Sequence, residues 1–239
     1  MFYFFLPALF SYRTLLVAAA VIPAVFLMIK VYRSDHLERE SHSMLWNLVI
    51  AGILSSLIAL VAEKVLSLLL DLLVPDTSPL YNVLLYFGIV AFSEEGAKFF
   101  MLKRRTWRSL EFNCQYDGVV YAVFVSLGFA LWENISYVMT YGFSTAIIRA
   151  LTAIPGHACF GVFMGTLYGI AKKVELRGQD DISKAFRVLC VVVPALLHGA
   201  YDYIASMDSS TWFFIAFIAV LFVISYLLVN KMSAKDKYI

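Results

Sequence analysis

The chain has 239 residues, of which 62% are hydrophobic and 15% are charged, and its formal net charge is +2. A soluble domain carries about 25% charged and 45–50% apolar residues, so this composition excludes a water-soluble globular protein. The small net charge gives no indication of nucleic acid as a partner. The three cysteines form no CxxC pair, and they indicate neither a disulfide framework nor a cysteine zinc site.

Seven stretches are apolar and long enough to cross a bilayer, which takes about 20 residues. They cover 14–32, 44–73, 80–102, 116–138, 145–172, 185–205 and 211–230. The apolar run at 2–10 is too short to cross alone, and we predict an interfacial or re-entrant piece there, or an eighth span if it also crosses. The sequence therefore predicts an all-α, polytopic transmembrane bundle that forms a single integral-membrane domain over 1–239.

Basic residues alternate between the two sides of this layout. Fourteen of the 19 Lys and Arg residues fall in the segments 30–39, 103–108, 172–184 and 231–237, whereas 74–79, 140–144 and 206–210 contain none. The positive-inside rule places the basic side in the cytoplasm, with the N-terminus outside and the C-terminus inside. We predict a multi-pass protein of the cell membrane, in which 103–112 meets anionic membrane lipid.

Ionisable residues inside spans are costly, so each is a candidate functional residue. Some lie near span ends, where they can reach the interface: Asp71, Asp117, Arg149 and Arg187. Glu63 and Lys64 are left without an assigned role. The rest form four clusters on four different spans, namely Glu94 with Glu95 and Lys98, Phe129 with Glu133, His157 after Pro155 and Gly156, and His198 with Asp202.

The spacing within these clusters suggests acid–base chemistry, with a carboxylate as general base and an oriented histidine. Lys98 is four residues from Glu94 and three from Glu95, so it can neutralise one carboxylate and leave the other desolvated beside a like charge, as suits a general base. Proline and glycine are expected to loosen the fifth helix and to place His157 at mid-depth. Asp202 lies one turn after His198 and is expected to fix its tautomer and orientation.

The predicted spans place the clusters at different depths. At 1.5 Å per residue, Glu94 lies about 21 Å and His157 about 18 Å from the outer ends of their spans, against about 10 Å for His198 and about 8 Å for Glu133. If the four clusters meet, the site lies in the outer half of the membrane and opens to the outside.

Three motifs carry a resemblance to a known family. EExxK at 94–98, FxxxE at 129–133 and HxxxD at 198–202 resemble the motifs of the PrsW family of intramembrane proteases, supported by the strings at 117–137 and 155–161. That family shares a superfamily with the type II CAAX prenyl proteases, whose related motifs are EExxxR, FxxxH and HxxxN. The resemblance implies a bacterial membrane peptidase with a catalytic core at 80–205. It further implies the first, extracytoplasmic (site-1) cut of a single-pass anti-sigma factor, which activates an extracytoplasmic-function sigma factor under envelope stress.

The resemblance also implies residue roles. Glu94 is expected to activate water, with Glu95 and Lys98 tuning and anchoring it, while His198 and Asp202 polarise the scissile carbonyl. Where the CAAX relatives have the histidine of FxxxH, this sequence has Glu133. Our hypothesis is that His157 on the neighbouring span supplies the missing imidazole and that Glu133 orients or charges it.

Metal dependence and two rival functions stay open at this point. Glu94, Glu95, His157 and His198 form a His/carboxylate set that zinc accepts, but the nearby Lys98 disfavours a cation, so we favour glutamate catalysis without a cofactor. A proton-coupled transporter is one rival, since intramembrane Glu, His and Lys also line ion pathways. A non-catalytic membrane scaffold that binds a single-pass partner is the other.

Overall fold

The computed structural model describes residues 12–207 and 211–239, and within them the protein is a bundle of α-helices. The helices are α1 (Tyr12–Arg33), α2 (His42–Leu73), α3 (Pro79–Val83), α4 (Phe92–Thr106), α5 (Asp117–Tyr141), α6 (Phe143–Leu151), α7 (Ala153–Glu175), α8 (Asp180–Ala205) and α9 (Thr211–Ala234), with a π-helix at Leu84–Ala91 between α3 and α4. Two predicted features lie outside the described residues, the interfacial or re-entrant piece at 2–10 and the last three residues of the predicted outer loop at 206–210.

Six helical segments of the described chain are long and apolar enough to cross a membrane, which confirms a polytopic all-α fold. Five of them are α1, α2, α5, α8 and α9, and the sixth joins α6 to α7 over Phe143–Glu175. The remaining predicted span, 80–102, is helical too, as α3, the π-helix and α4 in succession. The inside and outside assignment of the loops stays a prediction.

The central helix of the bundle is α5, and glycines let its neighbours approach it closely. A Cβ on Gly52 of α2 would overlap backbone atoms of Val125 and Phe129, and a Cβ on Gly165 of α7 would overlap the backbone of Gly118. Without a hydrophobic force between helices in lipid, such close backbone contact is a main source of helix association. The structure thus holds α2 and α7 on two sides of α5.

The fifth predicted span differs from the structure in one respect. The helix does not loosen at Pro155, because α7 begins at Ala153 and Pro155 lies in its first turn, where backbone N–H groups have no intrahelical acceptor. The interruption is at Thr152, whose φ of −123° and ψ of −68° separate α6 from α7. His157 therefore lies about 6 Å from the start of α7, while its depth in the membrane stays a prediction.

The π-helix at Leu84–Ala91 immediately precedes the acidic first turn of α4. A π-helical stretch winds more loosely than an α-helix and is frequent at functional sites. It packs on α8, where Phe87 lies so close to Gly199 that a Cβ there would overlap its ring. This contact brings the start of α4 against the last turns of α8, which carry His198 and Asp202.

Candidate active site

The first turns of α4 carry a buried ion-pair cluster. The ammonium of Lys98 lies 3.1 Å from Glu94 Oε2 and 2.7 Å from Glu95 Oε1, and all three side chains are buried. The same ammonium lies 4.0 Å from the ring centroid of Phe129 on α5, which is a cation–π contact. One lysine therefore contacts both carboxylates, and the aromatic residue of FxxxE forms part of its enclosure.

His198 on α8 faces this pair of carboxylates. Its Nδ1 lies 2.9 Å from Glu95 Oε1 and 3.8 Å from Glu94 Oε2, and its ring stacks on Phe160 with centroids 4.8 Å apart. The Nε2 atom lies 3.4 Å from Asp202 Oδ2. The shorter contact is thus with Glu95, so the carboxylate that we expected to orient this imidazole, Asp202, shares that role with Glu95.

His157 on α7 lies between Lys98 and Glu133. Its Nδ1 is 3.1 Å from Lys98 Nζ, and its Nε2 is 2.8 Å from Glu133 Oε2. Because an ammonium only donates and a carboxylate only accepts, these partners assign Nδ1 as the acceptor and Nε2–H as the donor of a neutral imidazole. This is the contact that our hypothesis about Glu133 and His157 needs, although their roles in the reaction stay proposals.

Arg149 is a site residue that the sequence reasoning missed. Its guanidinium lies 2.9 Å from Glu133 Oε2 and donates through Nε to Asn134 Oδ1 at 2.9 Å. The sequence alone predicts that Arg149 reaches the membrane interface, because it falls near a predicted span end. The break at Thr152 turns α6 over the site instead, and no pattern in the sequence marks that turn. Glu63 on α2, left without a role, faces the same region, since the charges of Glu94 and Glu133 act on it.

A cavity of about 460 Å³ opens beside this cluster. Glu94, Glu133, His157, His198 and Asp202 line it, whereas Glu95 and Lys98 do not. Its other walls include Thr152, which separates α6 from α7, and Met207 and Thr211, which flank 208–210. The cavity therefore lies toward the end of the bundle that the basic residues predict to be outside.

The structure thus brings the seven predicted site residues together from four helices. They fall within the predicted catalytic core of 80–205, and that division of the chain stays a prediction.

A family model described as PrsW family intramembrane metalloprotease matches residues 40–229, well over half of the chain. The chain belongs to the PrsW family. It is therefore a peptidase and a multi-pass membrane protein.

Named PrsW proteases of bacteria are similar to this chain over most of its length. Protease PrsW of Halalkalibacterium halodurans is 34% identical over 160 residues, which cover 67% of this chain and 70% of the relative. Protease PrsW of Geobacillus kaustophilus is 32% identical over 189 residues, 79% of each chain, and that of Clostridioides difficile is 29% identical over 220 residues, 90% of this chain and 88% of the relative. No solved structure matches the chain.

The PrsW family is described as one of metalloproteases, and a metal ion needs a set of donor atoms close together. Glu94, Glu95, His157 and His198 each offer one ligand atom, and these atoms lie within 4.8 Å of one another, a His/carboxylate set that suits zinc. However, the Lys98 ammonium lies within 3.1 Å of three of these residues. In this arrangement the Lys98 ammonium occupies the space between the donor atoms, where a zinc ion would bind. Zinc therefore fits only if the Lys98 side chain moves away.

Proposed function

We propose that the protein hydrolyses a peptide bond with water activated by Glu94. The observation that carries this proposal is the difference between two adjacent carboxylates. Glu94 lines the cavity, whereas Glu95 is sealed behind it by Lys98 and His198. Of these two carboxylates, only Glu94 is thus placed to receive a proton from a water molecule beside a bound peptide.

The reaction follows from this placement. Glu94 takes a proton from water as the oxygen attacks the scissile carbonyl carbon, and the protonated Glu94 then gives that proton to the departing amine nitrogen. The charge that develops on the carbonyl oxygen needs donors in the cavity. Glu95 holds Nδ1 of His198, so the other ring nitrogen, Nε2, faces Asp202 and the cavity. When both ring nitrogens of His198 are protonated, Nε2–H donates a hydrogen bond to the oxyanion.

The Glu133 and His157 pair supports this centre from the other side. Glu133 is held by Arg149 and holds His157, whose other nitrogen accepts from Lys98. This chain of contacts fixes the Lys98 ammonium on Glu94 and Glu95. We assign Glu133 and His157 a positioning role in place of the histidine that FxxxH has in the CAAX relatives.

The proposed substrate is a single-pass membrane anti-sigma factor, cut first on its extracytoplasmic side to activate an extracytoplasmic-function sigma factor under envelope stress. The position of the cavity near the predicted outer ends of the helices supports such a cut. Its walls combine the polar cluster with apolar side chains such as Val90, Ile148 and Phe214, which suit an apolar segment of a membrane substrate.

Reconstitution in proteoliposomes with an anti-sigma factor encoded beside this protein tests the proposal. The wild type is expected to cut the substrate, and Glu94→Gln is expected to bind it without cutting. Asp76→Asn, an exposed acid in an outer loop, is the control that keeps activity. Cleavage by Glu94→Gln at the wild-type rate would refute the base assignment. Binding without cleavage by the wild type would favour the scaffold, and proton flux that needs Glu94 would favour the transporter.

A further inference from the structure

A second group of buried carboxylates lies at the opposite end of the bundle. Asp35 is in the loop after α1, Glu40 is just before α2, and Asp117 is the first residue of α5. One oxygen from each lies within 4.8 Å of the others. Asp236 of the C-terminal tail adds a fourth charge, which acts on Asp35. Asp117 and Glu133 are about 24 Å apart along α5, so this group is separate from the active site.

These carboxylates are deeply buried and poorly satisfied. Asp35 and Asp117 are each 1% exposed and Glu40 is 7% exposed. Neither oxygen of Asp35 has a hydrogen-bond partner, and the same is true of Asp117 Oδ1. The amides of Leu37 and Glu38 lie near Asp35 without reaching hydrogen-bond geometry. An ionised carboxylate in such a place is costly unless a cation balances it.

Within residues 12–207 and 211–239, no Lys, Arg or His side chain forms an ion pair with Asp35, Glu40, Asp117 or Asp236. The charge of Arg39 acts on Asp35 without an ion pair between them, and its guanidinium lies over the Tyr32 ring. The described residues thus place several carboxylate oxygens here, with no positively charged side chain paired to them.

We propose that Asp35, Glu40 and Asp117 bind a divalent metal cation of the Ca²⁺ and Mg²⁺ class. All three ligands are carboxylate oxygens, which hard cations prefer, and nothing in the group offers the nitrogen or sulfur that zinc favours. Oxygens around Ca²⁺ at 2.3–2.6 Å are at most about 5 Å apart, and the mutual distances of these ligand atoms fall within that limit. The unpartnered oxygens of Asp35 are the ligands that the metal would satisfy.

The metal would complete a set of contacts that joins three parts of the predicted cytoplasmic end, two of which are already held together by hydrogen bonds. Asp117 Oδ2 already accepts from the amides of Asn113 and Cys114, which anchors the loop before α5. The tail is anchored there as well, since Asp236 Oδ1 accepts from the Tyr116 amide at 2.9 Å. Asp35 and Glu40 belong to the loop between α1 and α2, so a shared cation ties that loop to the start of α5.

Terbium luminescence on the full-length protein in detergent tests the proposal without any substrate. Tb³⁺ is a probe for Ca²⁺ sites, and Tyr121, beside Glu40, is a suitable sensitiser. The wild type is expected to give one saturable Tb³⁺ signal that Ca²⁺ displaces, and Ca²⁺ is expected to raise its melting temperature. His157→Ala with His198→Ala should keep this signal, because those residues belong to the other site.

Asp35→Asn and Glu40→Gln are each expected to weaken Tb³⁺ binding about tenfold or more, since each removes one ligand charge. Asp180→Asn, an exposed acid at the start of α8, is the matched control and should bind as the wild type does. Gel filtration and circular dichroism establish that each variant is folded. A wild type without saturable binding, or a folded Asp35→Asn that binds unchanged, would overturn the proposal.

Discussion

The two ends of this bundle bury carboxylates in opposite ways. At the active site, Glu94, Glu95 and Glu133 meet Lys98 and Arg149, so the chain supplies its own counter-charge. At the other end, Asp35 and Asp117 are buried and the described chain supplies no counter-charge in contact with them. The difference teaches that a buried acidic group is not by itself a metal site. An external metal ion is needed only where no Lys or Arg side chain of the protein already contacts the buried carboxylates.

The largest effect is expected from Glu94→Gln. Removing a general base typically costs about 10²–10⁴-fold in rate, and the amide keeps the size of the side chain. The measurement is kcat for substrate cleavage in proteoliposomes. Glu95→Gln should leave more activity, because Glu95 does not line the cavity. Equal losses for both substitutions would remove the distinction that we draw between these residues.

Lys98→Met tests whether the internal cation holds the active site together. Removing one partner of a buried ion pair costs about 3–5 kcal/mol, because the other charge is left uncompensated. The free energy of unfolding in mixed detergent micelles is the measurement. Lys184→Met, which removes an ion pair whose side chains are 66% and 95% exposed, is the control and should cost far less, because solvent screens that pair. A similar cost for both lysines would show that Lys98 does not balance the cluster.

Glu133→Gln and His157→Ala are expected to lower kcat about 10- to 100-fold, the range for groups that orient other site residues. Because both act through one chain of contacts, the double variant should lose little more than either single variant. Cleavage left intact by both single substitutions would refute the positioning role. A fully additive loss would show that the two residues act separately.

The smallest effect is a pH dependence of stability in cation-free protein. Burial, followed by the charge of Asp236, raises the pKa of Asp35 from 3.8 to about 6, and burial raises the pKa of Glu40 from 4.5 to about 7. An acid whose pKa is raised by folding stabilises the folded state at low pH and loses that contribution as pH rises through the folded-state value. The melting temperature in chelator should therefore fall by a few degrees between pH 5 and pH 8.

Asp35→Asn should flatten this pH profile, and Ca²⁺ should restore the melting temperature of the wild type at pH 8. A wild-type profile that is flat in chelator would contradict the unbalanced charge that we assign to this end of the bundle.

Much of the fold could be predicted because long apolar runs indicate the membrane spans and basic loops indicate the side of the membrane. The helical clusters were also visible, since an i, i+4 spacing such as that of Glu94 and Lys98 fixes two side chains on one face. Contacts between helices were not visible. The pairing of Arg149 with Glu133 depends on the break at Thr152, and the meeting of His198 with Glu95 depends on the π-helix before α4.

The acidic group at the other end was missed for the same reason. The sequence predicts Asp117 at the interface because it lies near the start of a span, and Asp35 belongs to a loop with mixed charges. Only the fold shows that both are buried and share a neighbourhood with Glu40. Burial of Asp35 depends on contacts with residues about 80 positions away in the sequence, and no local sequence pattern predicts such contacts.

The most direct test of the central claim is cleavage by metal-stripped protein. The enzyme is treated with a zinc-selective chelator while Ca²⁺ is kept in the buffer, its bound zinc is quantified, and substrate cleavage is measured before and after zinc is added back. If Glu94 activates water with Lys98 as the cation beside it, zinc-free protein keeps its full activity. Activity that is lost with the metal and returns at one equivalent of zinc would contradict the account.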